Sequence, residues 1–523
     1  MTKQLVGVAL IDLLSQYGVE VVFGIPGVHN IELYRTLPAS TITHVLGRHE
    51  QGVGFMADGY ARATGKPGVC FTITGPGMTN IMTSIGQAWS DSSPILVISS
   101  CLDLRDSAQG RGRLHEMIDQ FGAASSVTAH AFRVYNGKDL QDALAAAFAV
   151  FASARPRPVY IEIPIDVLQA DVTDRWLART LPRKPLPDPA LIEDAAKLIS
   201  QASRTAIILG GGALDAGKYA LDLAEKVGAC IITTTAGKGA VPAEHGAVWG
   251  SVLSLASVQQ DLQTFDCIVA VGTEMAETDF WRTDISFPGK IVRIDLDAFN
   301  IARPYPAAVA IIGDSSHCLE NISARIGVLK RRFRPPTNFA METPAGSSLV
   351  AKILFAIRAA VPVEAVICSD MTQIAYSANV QFPVSRPRTW LHPVGFGTLG
   401  FALPAAIGAK IGKGGSTPVV ALAGDYGFQY TSNELATAVE LNLTLPIVLW
   451  NNSLLGEIRD SMMTAGIEPN AVTARNPDFC ALAKAYGAKA VKPATAGDLY
   501  TMIKEALDTD GPTLIEITPD ITF

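Results

Sequence analysis

The chain has no uninterrupted apolar run approaching eighteen residues, so no membrane-spanning helix is expected. It has no Lys/Arg run of the kind that grips phosphate backbones, and with a formal net charge of −7 a nucleic-acid partner is not expected. Its seven cysteines (Cys70, Cys101, Cys230, Cys267, Cys318, Cys368 and Cys480) are scattered, odd in number and never in a C-x-x-C pair. That argues against a disulfide framework and a zinc site, leaving small core residues. The opening Met1-Thr2-Lys3-Gln4 runs into an amphipathic helical pattern rather than a leader peptide, so a cytoplasmic location is expected. Charge is sparse, at 17% of residues against 48% hydrophobic, which suits large buried cores. A length of 523 residues suggests about three domains of ordinary size.

What the chain does have is alternation. Strand-like runs such as "VEVVFGIPG", "GVCFTITGPG", "SPILVISS" and "PVYIEIPID" are separated by Ala-rich helical segments, the pattern of parallel sheets flanked by helices. Two Pro-rich stretches, Leu181 to Leu191 and Arg331 to Gly346, interrupt it and predict domains near 1–180, 185–335 and 345–523. The outer two look like a diverged duplication: in each, a strand leads to a Gly-bracketed turn, a helical stretch, a proline (Pro94 or Pro446) and another apolar strand. The central part has strands of its own and a glycine run, Gly210 to Gly212, which reads as a tight turn more readily than as a pyrophosphate cradle because no third fingerprint glycine or later ribose-binding acid follows.

The stretch "GDYGFQYTSNELATAVELNLTLPIVLWNN", Gly424 to Asn452, carries the most chemistry. Helix-start amides attract phosphate, but a carboxylate at Asp425 repels it unless a divalent cation lies between them. Magnesium meets that need with the Asp425 carboxylate, the Asn452 amide oxygen, the Leu454 carbonyl, diphosphate and water. One helix plus one strand separates Asp425 from Asn452, so both should emerge at the same C-terminal sheet edge. Gly-Asp alone is equally a helix cap; the whole combination is more specific.

On these residues the chain resembles the thiamine-diphosphate-dependent enzymes of the acetolactate synthase, pyruvate decarboxylase and benzoylformate decarboxylase type, over essentially its whole length. The resemblance implies a pyrimidine-binding domain, a central Rossmann-like domain and a diphosphate-binding domain, all α/β with parallel sheets. It implies thiamine diphosphate and Mg2+ as cofactors, and a homodimer or homotetramer in which pyrimidine- and diphosphate-binding domains of different chains face each other. Glu50, in "HVLGRHEQGVGFMADGYARATG", matches the glutamate that bonds the aminopyrimidine ring, and Gly52, Gly54, Ala57 and Gly59 behind it permit close helix packing. In "GFGTLGFALPAAIGAK", Leu399 matches the wedge between the cofactor rings and Gly397 the carbonyl that accepts from the pyrimidine amino group. Pro26, Thr372, Gln373, Gly424, Tyr426 and Gly427 complete the expected cofactor contacts. The family usually reads Gly-Asp-Gly where this chain has Gly424-Asp425-Tyr426-Gly427, so the amide cradle must accommodate a Cβ at Tyr426.

Substrate contacts are expected from Val28, His29, His115, Glu457 and Ile458. Acetolactate synthases commonly read Phe-Gln-Glu where this chain has Leu114-His115-Glu116, and an apolar residue in place of Glu457. His115 is a candidate proton donor or acceptor, its alternative a purely structural loop histidine. Glu457 is expected to point into the substrate cavity and to pair with a cationic substrate end, a feature that resembles the branch containing 2-ketoarginine decarboxylase. The expected reaction is decarboxylation of a 2-oxo acid to an aldehyde. The alternatives are an acetolactate synthase-like carboligase, which passes the decarboxylated fragment to a second carbonyl, and a catalytically silent scaffold. FAD is not expected, because "GTEMAETDFWRTD" does not resemble the flavin-contacting stretch of the synthases.

Overall fold

The computed structural model describes residues 4–107, 109–329, 331, 333 and 347–523. Three six-stranded sheets, each wholly parallel, follow one another along the chain. The first contains β1 (Val21–Gly24), β2 (Thr43–Leu46), β3 (Gly68–Thr72), β4 (Ile95–Cys101), β5 (His130–Arg133) and β6 (Val159–Pro164), in the spatial order β2-β1-β3-β4-β6-β5. The central sheet contains β7 (Thr205–Leu209), β8 (Cys230–Thr233), β9 (Val248–Gly250), β10 (Cys267–Val271), β11 (Lys290–Asp295) and β12 (Val309–Ile312), ordered β9-β8-β7-β10-β11-β12. The last contains β13 (Val366–Ser369), β14 (Trp390–Leu391), β15 (Val419–Gly424), β16 (Leu445–Trp450), β17 (Lys489–Val491) and β18 (Pro512–Ile517), ordered β14-β13-β15-β16-β18-β17.

The outer sheets thus repeat one strand order, which is the topology that the sequence suggested by its matched turns and prolines. In that order the connections reverse direction between the first and third strands, opening a crevice at the carboxyl ends of β1 and β3 and again at those of β13 and β15. The central sheet has the doubly wound dinucleotide-fold order. Its Gly210–Gly212 turn nevertheless spends two of its amides on backbone, Gly210 N to Val271 O at 2.9 Å and Gly212 N to Gly272 O at 3.0 Å. A Cβ on Gly210 would stand 2.1 Å from Gly272 O, so glycine serves close packing here. The stretch from 173 to 188, which holds most of the first Pro-rich segment, forms neither helix nor strand. The second, Arg331 to Gly346, lies outside the described residues except for 331 and 333. All seven cysteines are free and six are buried.

Six helices position the site: α1 (Glu50–Thr64), α2 (Pro76–Ser90), α3 (Gln373–Gln381), α4 (Ala402–Lys413), α5 (Asp425–Thr431) and α6 (Gly456–Thr464). The small-residue face of α1 packs within its own chain. A Cβ on Gly59 would stand 2.0 Å from Ala405 O on α4, one on Gly408 1.8 Å from Met56 O, and one on Gly54 1.9 Å from Ser84 Oγ on α2. Gly59 and Gly408 join the first sheet's α1 to the last sheet's α4, and do so without a second subunit. Among the described residues no helix is long and apolar enough to cross a membrane.

Candidate active site

Beyond the carboxyl ends of β13, β15 and β16 three helices start without a side-chain cap. The Thr372 side chain before α3 accepts no hydrogen bond from the helix amides, and Gly424 before α5 and Leu455 before α6 have no side-chain acceptor to offer. Asn136, Asp188, Asp314 and Thr495 cap other helices with side-chain oxygens, while the helices after Leu5, Gly75, Ala216 and Phe401 are uncapped as well. Uncapped first-turn amides are donors in want of acceptors, the condition for binding an anion.

Asp425 stands among them with 4% of its surface exposed. Its carboxylate accepts from Tyr426 N at 2.9 Å, Ser453 N at 2.8 Å and Asn476 Nδ2 at 2.7 Å, all neutral donors. Burial pushes its pKa up, against the pull of those donors. A buried carboxylate whose partners are all uncharged suits a cation ligand. Gly424 pairs with Trp450 across β15 and β16, which puts Asn452 at the same sheet edge. The Asn452 amide bonds Gln373 Oε1 at 3.2 Å and receives Leu454 N at 3.2 Å. Ser453 takes the left-handed conformation at φ 55, turning the chain so that its amide meets Asp425. Asp425, Asn452, Leu454, Thr372 and Gln373 therefore converge, and the oxygen-rich donor set fits a hard divalent ion shared with diphosphate. No cluster of three or more His, Cys, Asp or Glu suited to a metal occurs among the described residues, so such an ion would draw on amide, carbonyl and phosphate oxygens.

Tyr426 imposes no backbone cost. It lies in the first turn of α5 and is absent from the residues with positive φ. The close approach falls on Gly427, where a Cβ would stand 2.5 Å from Asp370 Oδ2. Asp370, raised to about 6 by burial, also accepts Gly400 N at 3.1 Å and so holds the loop containing Gly397 and Leu399. From the other side α2 grips that loop: Gln87 Oε1 accepts Thr398 N at 3.2 Å, while Asp91 accepts Val394 N at 2.9 Å and Gly395 N at 2.7 Å. Arg62 ties Asp91 to Asp58 on α1.

A second crevice is built from the first sheet. Glu50 opens α1, is 8% exposed, and accepts Asn80 Nδ2 at 2.9 Å. Burial and then the charge of Glu50 push the Tyr34 phenol up. His29 and His115 meet edge to face with ring centroids 5.1 Å apart. Each keeps a buried Nδ1 without a hydrogen-bond partner, and burial followed by His115 lowers the pKa of His29. His115 has φ 63, and its carbonyl would lie 2.6 Å from a Cβ on Gly75. Asn30 braces the Pro26–Val28 turn, accepting Gly27 N at 2.7 Å.

Glu457 and Ile458 sit in the first turn of α6. Both are exposed in the single chain, so Glu457 carries no desolvation cost there, in contrast to the carboxylate enclosed in a cavity that the sequence suggested. Arg459 is taken by Asp460 at 2.6 Å, and Glu457 has no hydrogen bond or ion pair among the described residues. Burial and then the charges of Glu457 and Asp370 push Tyr376 on α3 up to about 12. Within one chain no hydrogen bond, ion pair or ring contact joins the Glu50, His29 and His115 group to the Asp425 and Asn452 group among the described residues. Asn80, Asn476, Gln87 and Asp91 were not legible as site residues: each acts through a contact distant in sequence, and no local pattern marks it.

Three family models match along the chain: the thiamine pyrophosphate enzyme N-terminal TPP-binding domain at residues 5–123, the central domain at 192–322 and the C-terminal TPP-binding domain at 370–517. The chain is 45% identical over 522 residues to the Pseudomonas aeruginosa protein named "Probable 2-ketoarginine decarboxylase AruI", covering 98% of this chain and 93% of that one. It is 30% identical over 532 residues to the Escherichia coli acetolactate synthase isozyme 1 large subunit, covering 98% and 93%. The X-ray structure of a Mycobacterium smegmatis protein described as thiamin diphosphate-dependent superposes with a TM-score of 0.86 at 23% identity, over 98% of this chain and 99% of that one, and shares the fold. With 45% identity across nearly its full length to one such relative and family models matching in each of its three parts, the chain belongs to the thiamine pyrophosphate enzyme family.

Proposed function

We propose that this protein decarboxylates a 2-oxo acid with a cationic end, such as 2-ketoarginine, and releases the aldehyde. The observation that carries the reading is Glu457, a carboxylate in the first turn beyond Asn452 with no ion pair among the described residues. The name of the 45% identical relative supports the same substrate class.

Thiamine diphosphate, when bound, supplies a thiazolium carbon that adds to the 2-oxo carbonyl and takes up the electrons left by departing CO2. Asp425, Asn452 and the Leu454 carbonyl would hold Mg2+, and the first-turn amides of α3 and α6 would receive diphosphate oxygens. The Gly397 carbonyl would accept from the pyrimidine amino group and Leu399 would pack between the rings. Glu50 would share a proton with the ring, its carboxylate oriented by Asn80. His29 and His115, facing each other, would deliver the proton that replaces CO2 on the product carbon. Glu457 would fix the far end of the substrate.

Among the described residues no hydrogen bond, ion pair or ring contact joins Glu50, His29 and His115 to Asp425 and Asn452 within one chain, which supports a homodimer, or a dimer of such dimers, in which Glu50 of one subunit meets Asp425 of the other. A cytoplasmic location fits this chemistry. Assay of neutral and cationic 2-oxo acids with identification of products tests the proposal: aldehyde from a cationic acid supports it. A 2-hydroxy-2-methyl-3-oxo acid from pyruvate would establish the carboligase instead.

A further inference from the structure

The carboxylate of Glu434 is fully buried, at 0% exposure, where the first and last sheets' helices meet. It follows α5 in the short 3-10 turn Ser432–Glu434. Its Oε1 receives His49 N at 2.9 Å and Arg48 N at 3.0 Å, and its Oε2 receives Thr437 Oγ1 at 2.8 Å. The two amides belong to the residues immediately before Glu50. Gly52 makes the approach possible, because a Cβ there would stand 2.3 Å from Oε1. Thr437 Oγ1 also lies 3.2 Å from Leu46 O, at the end of the strand leading into α1.

A carboxylate buried in this junction is costly, and the cost is offset chiefly by uncharged donors: two backbone amides, the Thr437 hydroxyl and, at 3.4 Å, the Asn433 side-chain amide. The two backbone amides lie at a helix start, where α1 has no carbonyls of its own to satisfy them. The carboxylate therefore fixes the position and direction of the first turn of α1, and with it the side chain that meets Asn80.

We propose that Glu434 is a positioning residue for Glu50, supplied by the diphosphate-binding part of the same chain. This rests on the shared-site reading above and adds a consequence: Glu434 serves the active site whose Asp425 belongs to the other subunit, although α5 connects Glu434 to the Asp425 of its own.

Subunit mixing separates the two. Glu434→Ala alone should lower kcat/KM by about 100-fold through misplacement of Glu50, and Glu434→Gln by less, because its amide oxygen still accepts. If Glu434 acts through Glu50, mixing Glu434→Ala with Asp425→Ala regenerates a site with intact Glu50 and intact Asp425, and activity recovers. Mixing Glu434→Ala with Glu50→Gln then yields no recovery. The reverse pattern, or equal behaviour of both mixtures, overturns the proposal. Should Glu434→Ala fail to fold, Glu434→Gln carries the same two mixtures.

Mixing Glu50→Gln with Asp425→Ala is the control, and its failure under proven subunit exchange sinks the shared site rather than the role of Glu434. That role is read independently in the cofactor-free protein by amide hydrogen exchange. Residues 48 and 49 should lose protection in Glu434→Ala, and less in Glu434→Gln, while residues 452–456 keep theirs. Unchanged protection at 48 and 49 overturns it.

Discussion

Replacing Glu457 by alanine tests the substrate class, and the size of the loss reports how the site is enclosed. In the single chain Glu457 is exposed, and a guanidinium pairing with it there would gain only about 0.2–1 kcal/mol. Covered by a second subunit, the same pair becomes desolvated, charge-assisted and bidentate, worth about 2–5 kcal/mol. At the lower end of that range the change in kcat/KM is about 30-fold. The expected result is a loss of about 30-fold or more on 2-ketoarginine with little change on an aliphatic 2-oxo acid of similar length. A loss that shrinks as salt is raised would mark an open, screened pair. Glu457→Gln, which keeps shape and removes charge, should follow the alanine variant on the cationic substrate. An equal loss on both substrates, or none on either, would refute the specificity role and leave Glu457 with proton transfer or with no part in the reaction.

Asp425→Ala should abolish binding of Mg2+–thiamine diphosphate in a calorimetric titration, since it removes the carboxylate at the three helix starts; an unchanged affinity would refute the metal assignment. Glu50→Gln should bind the cofactor yet exchange the thiazolium proton for deuterium slowly, and wild-type exchange would contradict its role. Gly59→Ala places a methyl 2.0 Å from Ala405 O and should lower the melting temperature through about 1–3 kcal/mol of overpacking; an unaltered melt would show that α1 and α4 part easily. Lys238, buried and donating to the Ala378 and Asn379 carbonyls, has its pKa lowered from 10.5 to about 7 by burial. The unfolded chain therefore binds the extra proton between those values, so this contribution to stability is present above 10.5 and lost as pH falls through about 7. Lys238→Met should flatten that part of the urea-midpoint profile, and a parallel profile would place the titration elsewhere.

The strands of all three sheets were legible because buried parallel strands are written as short apolar runs, "TAIILGGG" and "PILVISS" among them. The duplicated topology was legible because a Gly-bracketed turn and a proline recur in the same places. Asp425 and Asn452 could be placed together because strand register carries both to one edge. The small residues behind Glu50 announced close packing but not its partner: a glycine face is complementary to any backbone, and α4 of the same chain fills it. The concern over Tyr426 dissolved for a similar reason, since the demand for a missing Cβ falls one residue later, where Gly427 meets Asp370. Asn476 and Glu434 were invisible because a lone polar residue gains meaning only from partners brought to it by the fold, 51 residues away for the first and 385 for the second.

The bond from Glu434 to the His49 amide also sets a timetable. The two residues are 385 positions apart, so at about 5–20 residues per second a ribosome needs roughly 20–80 s between them. Throughout that interval the first sheet can fold, but the turn that presents Glu50 waits without its anchor. A nascent or truncated chain ending before Glu434 would own Glu50 and still lack the carboxylate that anchors the turn before it. Completion of the active site is thereby deferred to the last third of synthesis, when the whole chain is nearly in hand.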